Sequence, residues 1–184
     1  DPHRLFARLK KRSDYDNLYK RTVGDFLRDA REHGLSATLA DRKAWGAMRM
    51  SPTDLADVNG NTYTYLANGR RADDDWSGLF APGERIRLRF VNAAAMTFFD
   101  IRIPGLTLSV VAADGQYTRP VEVDELRIAP AETFDVIVQP ERDEAYVVFA
   151  QAMDRSGHAR ITLAPRMGMR APSPAIDARA LLTM

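Results

Sequence analysis

The sequence predicts a mainly β protein, a Greek-key β-sandwich that carries a helical extension at its N-terminal end. Three observations lead there. The apolar period is helical up to about residue 50 and becomes two from Thr62 onward. Beyond Thr62, short alternating runs recur with turn dipeptides between them, the pattern of an antiparallel β-sandwich or barrel. The composition, 45% hydrophobic and 28% charged over 184 residues, suits a globular domain with a sizeable core.

The helical part comes first. Asp1-Pro2 reads as an N-cap with proline at the first helical position, followed by the apolar stripe Leu5, Phe6 and Leu9. Lys10, Lys11 and Arg12 then suit the negative end of the helix dipole. A second helix opens at Thr22, with Asp25 completing an acidic variant of the capping box. Val23, Phe26, Leu27 and Ala30 are its expected buried face, and Gly34 its stop. A third helical stretch covers Thr38 to Met48 and presents Leu39, Trp45 and Met48. Ser51-Pro52 starts a short turn of helix through Asp54 and Leu55.

The strands come next. Glu84–Asn92 has the strictest pattern: Ile86, Leu88 and Phe90 point one way, Arg85, Arg87 and Arg89 the other. The other expected strands are 62–67, 97–103, 106–113, 123–128, 134–138, 145–151 and 158–163. Asn68-Gly69, Pro82-Gly83, Pro104-Gly105, Asp114-Gly115 and Ser156-Gly157 are the turns. The chain thus divides into a helical extension over 1–58, a sandwich domain over 59–165 and a linker tail over 166–184, rich in Met, Pro, Ala and Ser. It starts at Asp1 with no initiator methionine and no signal peptide, as expected of a processed product or an excised piece.

Charge and composition exclude several classes. The net charge is +1, so no global field points at nucleic acid. Residues 1–50 carry 12 lysines and arginines against 7 carboxylates, and residues 51–184 carry 14 against 18. Acidic residues are interleaved with the basic ones, which reads as a solvated helical face or a surface for an acidic neighbouring domain. No apolar run approaches the roughly 20 residues of a membrane span. With no cysteine there are no disulfides, thiolate metal sites or cysteine nucleophiles. No motif ties a serine to a histidine base, and Gly24, Gly34 and Gly46 form no phosphate-binding pattern.

The strand from Pro82 to Asn92, PGERIRLRFVN, resembles the one that opens the core of a multicopper-oxidase domain. Leu108–Gln116 with its Ala-Asp-Gly, Pro120-Val121, Glu122–Leu126 and Ala131–Val138 continue the likeness, and Ala67–Arg70 sits where that family has an Asn-Gly turn. Asp1–Phe6, Ala40–Lys43, Met48–Val58 and Phe149–Gly157 resemble more specifically the CopA-type copper-resistance oxidases, the first three of them as a helical insertion. The resemblance covers residues 1–165. It implies a cupredoxin-like fold and a parent built of three cupredoxin domains, with blue copper in the last and a trinuclear copper cluster between first and last. This chain would be the middle domain, with the first and third domains of the same chain as partners and the periplasm as location. The parent would couple oxidation of Cu(I) or phenolic substrates to reduction of O₂ to water.

The residues agree on one point by themselves. A blue-copper site needs a cysteine thiolate with two histidines, and a trinuclear cluster needs many imidazoles. The chain offers His3, His33 and His158, scattered, and no cysteine. We therefore expect no catalytic residue, no cofactor-binding residue, no blue or trinuclear copper site and no oxidase activity in this chain alone.

Other groups have ordinary roles to set beside functional ones. His158 reads as a structural histidine and His33 as a cation at a helix C-terminus. Asp73, Asp74 and Asp75 form an acidic loop without the spacing of an EF-hand. Met48, Met50, Met167, Met169 and Met184 carry soft thioethers that suit Cu(I). Met167 and Met169 are the candidate Cu(I) contact, since the CopA-type family has a methionine-rich region after its second domain. Ordinary roles are core packing for Met48 and linker residues for the rest. A domain lying between two neighbours is expected to expose apolar patches, with Trp45, Leu79 and Phe80 as candidates, and self-association of the isolated chain could cover them. Two rival functions stay open: a carbohydrate- or ligand-binding sandwich that stacks on Trp76, Tyr63 and Tyr65, and nucleic-acid binding by the basic helices.

Overall fold

The computed structural model describes residues 19–56, 58–74, 76–179 and 181–183, which fall into two compact units, Asp1–Asp57 with Arg179–Met184 and Val58–Ala178. The expected helix at Asp1-Pro2, His3, Asp75 and Met184 lie outside the described residues.

In the first unit, α1 (Val23–His33) and α2 (Leu35–Ala47) form. The capping box at the start of α1 is complete: the Asp25 N–H donates to Thr22 Oγ1 at 3.2 Å, and the Thr22 N–H donates back to the Asp25 carboxylate at 2.7 Å. That carboxyl, held by the Thr22 backbone and hydroxyl and then by Arg28, sits at about 2. Gly34, at φ 86°, ends α1 and leads into α2. The expected buried face of α1 differs. No α1 residue is buried, and Val23 is 76% exposed. A stripe of helical period shows that one face is apolar; it does not supply the surface to cover it. In α2, Trp45 is buried, as is Thr38, whose hydroxyl donates to Gly34 O. Leu35 and Leu39 are exposed, and so is Met48, so core packing does not account for Met48.

The second unit is the expected β-sandwich. One sheet has the order β1 (Ser77–Leu79), β9 (His158–Ala164), β8 (Tyr146–Ala152), β3 (Phe99–Arg102), β6 (Glu125–Ile128). The other has the order β2 (Ile86–Val91), β7 (Thr133–Val138), β4 (Leu108–Ala113), β5 (Gln116–Val123). The chain crosses between sheets at almost every connection, while β4–β5 and β8–β9 are hairpins. Ile101, Leu126, Ile128, Val148 and Leu163 of the first sheet pack with Leu108, Val136 and Val138 of the second. The turns carry the chemistry their dipeptides announce. Asn68-Gly69 and Asp114-Gly115 both have positive φ at both positions, the geometry of a type I′ hairpin turn. Pro82-Gly83 and Pro104-Gly105 place a positive-φ glycine after proline, as in a type II turn.

Three elements differ from expectation. Residues 62–67 form no strand, only an isolated bridge between Ala67 and Arg70, because a strand needs a ladder partner and none of the described strands pairs with this one. β1 pairs parallel with β9, so the sandwich is not purely antiparallel. The expected strand 123–128 is split between β5 and β6, and β5 is almost wholly exposed at a sheet edge, the setting that tolerates Pro120. The exposed apolar residues also differ from those expected: Trp45 and Phe80 are each only 5% exposed, whereas Leu79 is exposed.

Candidate functional site

The two described histidines both lie within secondary structure. His33 lies in the last turn of α1. His158 opens β9, its ring 4.9 Å from that of Phe149. Burial, reinforced by Arg160, pushes the His158 imidazole below its usual range, which favours the neutral ring. Among the described residues no group of three or more His, Cys, Asp or Glu could hold a metal ion. With no cysteine in the chain and one described histidine in each unit, these residues do not fit a blue or trinuclear copper centre. The two described aspartates of the acidic loop are paired: Arg70 with Asp74 and Arg71 with Asp73, each at 3.1 Å. Arginines of the basic helical part are likewise paired, Arg21 with Asp41, Arg28 with Asp25 and Arg42 with Asp29. Met167 is exposed and Met169 half-buried, on the turn after β9, where Met169 N–H reaches Arg166 O at 3.4 Å.

The aromatic candidates do meet. Tyr63, Tyr65 and Trp76 line one cleft of about 930 Å³ between the two sheets of the sandwich. Its walls are the inner faces of the sheets, with Leu88 and Phe90 on one side and Ile101, Val148 and Ile161 on the other. Tyr65 belongs to a wall: its ring packs edge-on to Phe99 at 5.0 Å, and its hydroxyl lies 3.3 Å from Ser156 Oγ. Burial pushes that hydroxyl up from its ordinary range. Ser156 also receives the Gly60 N–H at 2.8 Å, and a Cβ at Gly60 would stand 2.6 Å from Ser156 O. The segment that leads into the lining residues 63–69 is therefore pinned to the β8–β9 turn by a contact only glycine permits.

Two densely bonded carboxylates, Asp100 and Asp135, were not singled out by the sequence. Asp100, 2% exposed, stands on the outer face of the five-stranded sheet, opposite Arg127 on β6 and Gln151 on β8. Arg127 and Arg155 both reach its carboxylate at 2.7 Å. On the same face Arg102 bridges Glu125 and Asp177. Gln151 donates to Asp177 and accepts the Asp177 N–H. Arg160 reaches Ser173 and Ala171 O. Residues 171–177, within the expected linker tail, are thus fastened across the sheet. The Arg102 guanidinium, then Gln151, hold the Asp177 carboxyl down at about 2. Asp177→Ala should release this strap, and trypsin should cut after Arg166 or Arg170 faster than in the parent; an unchanged cleavage rate would show the strap is held by other contacts.

The outer face of the second sheet has its own cluster. Arg87 and Arg89 converge on Asp135, which is 6% exposed, and Arg87 lies over the Tyr117 ring. Hydrogen bonds from Arg89, then Arg87, set the Asp135 carboxyl at about 2 against the opposing pull of desolvation. The wet face expected of β2 is therefore an ion-paired one. The one signal for these clusters is an isolated Asp within an apolar strand: Asp100 among Phe98, Phe99 and Ile101, and Asp135 among Phe134, Val136 and Ile137.

Comparison with known proteins bears on the whole chain. Residues 20–165 match the multicopper oxidase family model. The chain is 64% identical over all 184 residues to copper resistance protein A of Escherichia coli and covers 30% of that protein. It is 63% identical over the same length to copper resistance protein A of Pseudomonas syringae pv. tomato, again 30% of the relative. The laccase from Botrytis aclada aligns in structure with a TM-score of 0.48 at 23% identity, over 60% of this chain and 21% of the laccase. The chain spans about 30% of the length of the curated relatives it matches.

Proposed function

The chain belongs to the multicopper oxidase family, and from that premise we propose that it is the non-catalytic middle cupredoxin domain of a periplasmic copper-resistance oxidase. The observation that carries this reading is the identity of 61–64% along the whole chain to proteins named for copper resistance. Residues 59–165 form the cupredoxin-like domain, with 1–58 as its helical extension and 166–184 as a tail leading to the third domain. Its task is positional: it sets the separation of a first and a third domain that bear the copper, and copper there supplies the electron transfer from Cu(I) or phenolic substrates to O₂. A donor set without cysteine is what such a spacer would carry. The exposed thioether of Met167, with Met169 two residues on, provides a soft contact for Cu(I) in passing.

The experiment is a comparison of the full-length parent with residues 1–184 alone, both loaded with copper. The parent should show a blue absorption band and consume O₂ with Cu(I), and the 184-residue chain should do neither. A blue band from the short chain, or a parent that takes up no copper, would sink the reading. Cu(I) titration of the parent and its Met167→Leu/Met169→Leu variant under reductant isolates the tail; equal uptake removes the thioether role.

A further inference from the structure

Among the described residues β2 is an edge strand, hydrogen-bonded to β7 on one side only. Just beyond the ladder, Asn92 N–H donates to Glu132 O at 3.1 Å, in the same register that pairs Phe90 with Phe134. Alternation along an antiparallel strand then turns the N–H and C=O of Arg87, Arg89 and Val91 away from β7, toward the free edge. The 930 Å³ cleft begins at that edge. Its floor is apolar on both sheets, and the inward side chains of β2 are only half-buried although they belong to the core. Protein interiors are close-packed with few voids larger than a water molecule. A space of this size between two apolar sheet faces is therefore built to be covered.

The shape selects an extended peptide. One wall offers a row of backbone donors and acceptors, and the floor offers apolar side chains at strand spacing; together these read a strand by its main chain and its alternate residues. At roughly 3.3 Å per residue, the six residues of β2 present an edge of about 20 Å, so the guest would pair over about six residues. The length of the relatives indicates the source: the chain spans about 30% of them. A segment tethered in the same polypeptide meets the edge at an effective concentration in the millimolar range and needs little intrinsic affinity.

We propose that this cleft is a β-strand acceptor: an extended segment of the parent polypeptide outside residues 1–184 adds to the free edge of β2 and seats alternate apolar side chains against Leu88, Phe90, Ile101 and Ile161. The proposal rests on the reading that the chain is one domain of a longer oxidase. It assigns Tyr63 and Trp76 to the rim and Tyr65 to the wall of a peptide site, not to a sugar-stacking platform.

Residue-resolved hydrogen exchange on the full-length parent tests it. The amides of Arg87, Arg89 and Val91 should exchange at least about a hundredfold more slowly than the outward amides of β5, an exposed edge strand in the same molecule. Exchange as fast as β5 overturns the proposal. The occupant is identified by photo-cross-linking from p-benzoylphenylalanine placed at Leu66, an exposed residue of the rim. The adduct should be a peptide of the same polypeptide outside residues 1–184. An adduct within 1–184, one to a second copy in a mixed-isotope sample, or none at all overturns it. A parent without copper refutes the oxidase reading separately, and neither measurement here depends on copper.

Discussion

Asp100→Asn is expected to destabilise the sandwich by about 3–5 kcal/mol, the range for removing one partner of a buried ion pair. The carboxylate is 2% exposed and accepts from Arg127 and Arg155. Those two guanidiniums are not equivalent. The Arg127 side chain is 54% exposed and can turn to water, while that of Arg155 is 11% exposed and cannot. Losing the charge therefore leaves a buried cation without a counter-ion. The unfolding temperature of the variant should fall by on the order of 10 °C. Arg127→Ala, which removes a surface partner, should cost about 1 kcal/mol or less. If Asp100→Asn costs no more than Arg127→Ala, burial does not govern the pair.

The pH dependence has a definite sign. Burial pushes the Asp100 carboxyl up, but the guanidiniums of Arg127 and Arg155 together outweigh burial and hold it below its ordinary 3.8. A depressed carboxyl contributes stability that is fully present above the unfolded value and is lost as pH falls through the folded one. Asp135 and Asp177, both at about 2, act in the same window, between about pH 4 and pH 2. Acid unfolding should therefore be steep below about pH 4, and shallower in Asp100→Asn than in the parent.

Phe149→Ala should cost about 3–5 kcal/mol. Phe149 is fully buried, yet it lies outside the cluster between the sheets. Its neighbours are the His158 ring and the Arg102 guanidinium, 5.2 Å from its centroid and fixed by Asp177. The ring therefore anchors the strap of residues 171–177 to the outer face. Truncation should loosen that strap and hydrate His158, so the imidazole pKa, measured by NMR, should rise toward its ordinary 6.5. A large stability loss with an unmoved His158 would mean that His158 is buried by other groups.

Much of the sandwich was legible because local rules agree with the fold. Ile86, Leu88 and Phe90 alternate, Pro82-Gly83 starts the strand, and Asp114-Gly115 can hardly avoid a tight hairpin. Where pairing is decided at long range, the signal fails. Ser77–Leu79 is a strand only because Thr162–Ala164 lies beside it, and Thr62–Tyr65 alternates without a ladder to join. Of the site, the shortage of thiolate and imidazole donors is plain from residue types alone. The Asp100, Arg127, Gln151 and Asp177 network was not, because sheet register brings together residues far apart in sequence.

The pairing of β1 with β9 sets an order of events. Ser77 finds its partner in Thr162, at the far end of the domain. On a ribosome the first strand emerges long before the last, and synthesis proceeds at about 5–20 residues per second. At that rate the roughly 80 residues between β1 and β9 take several seconds to make, and β1 has no β9 to pair with until then. Pairing β1 with β9 closes most of the domain, the kind of non-local contact that slows folding. The period of greatest exposure to misassembly and to chaperones is the interval before His158–Ala164 leaves the exit tunnel.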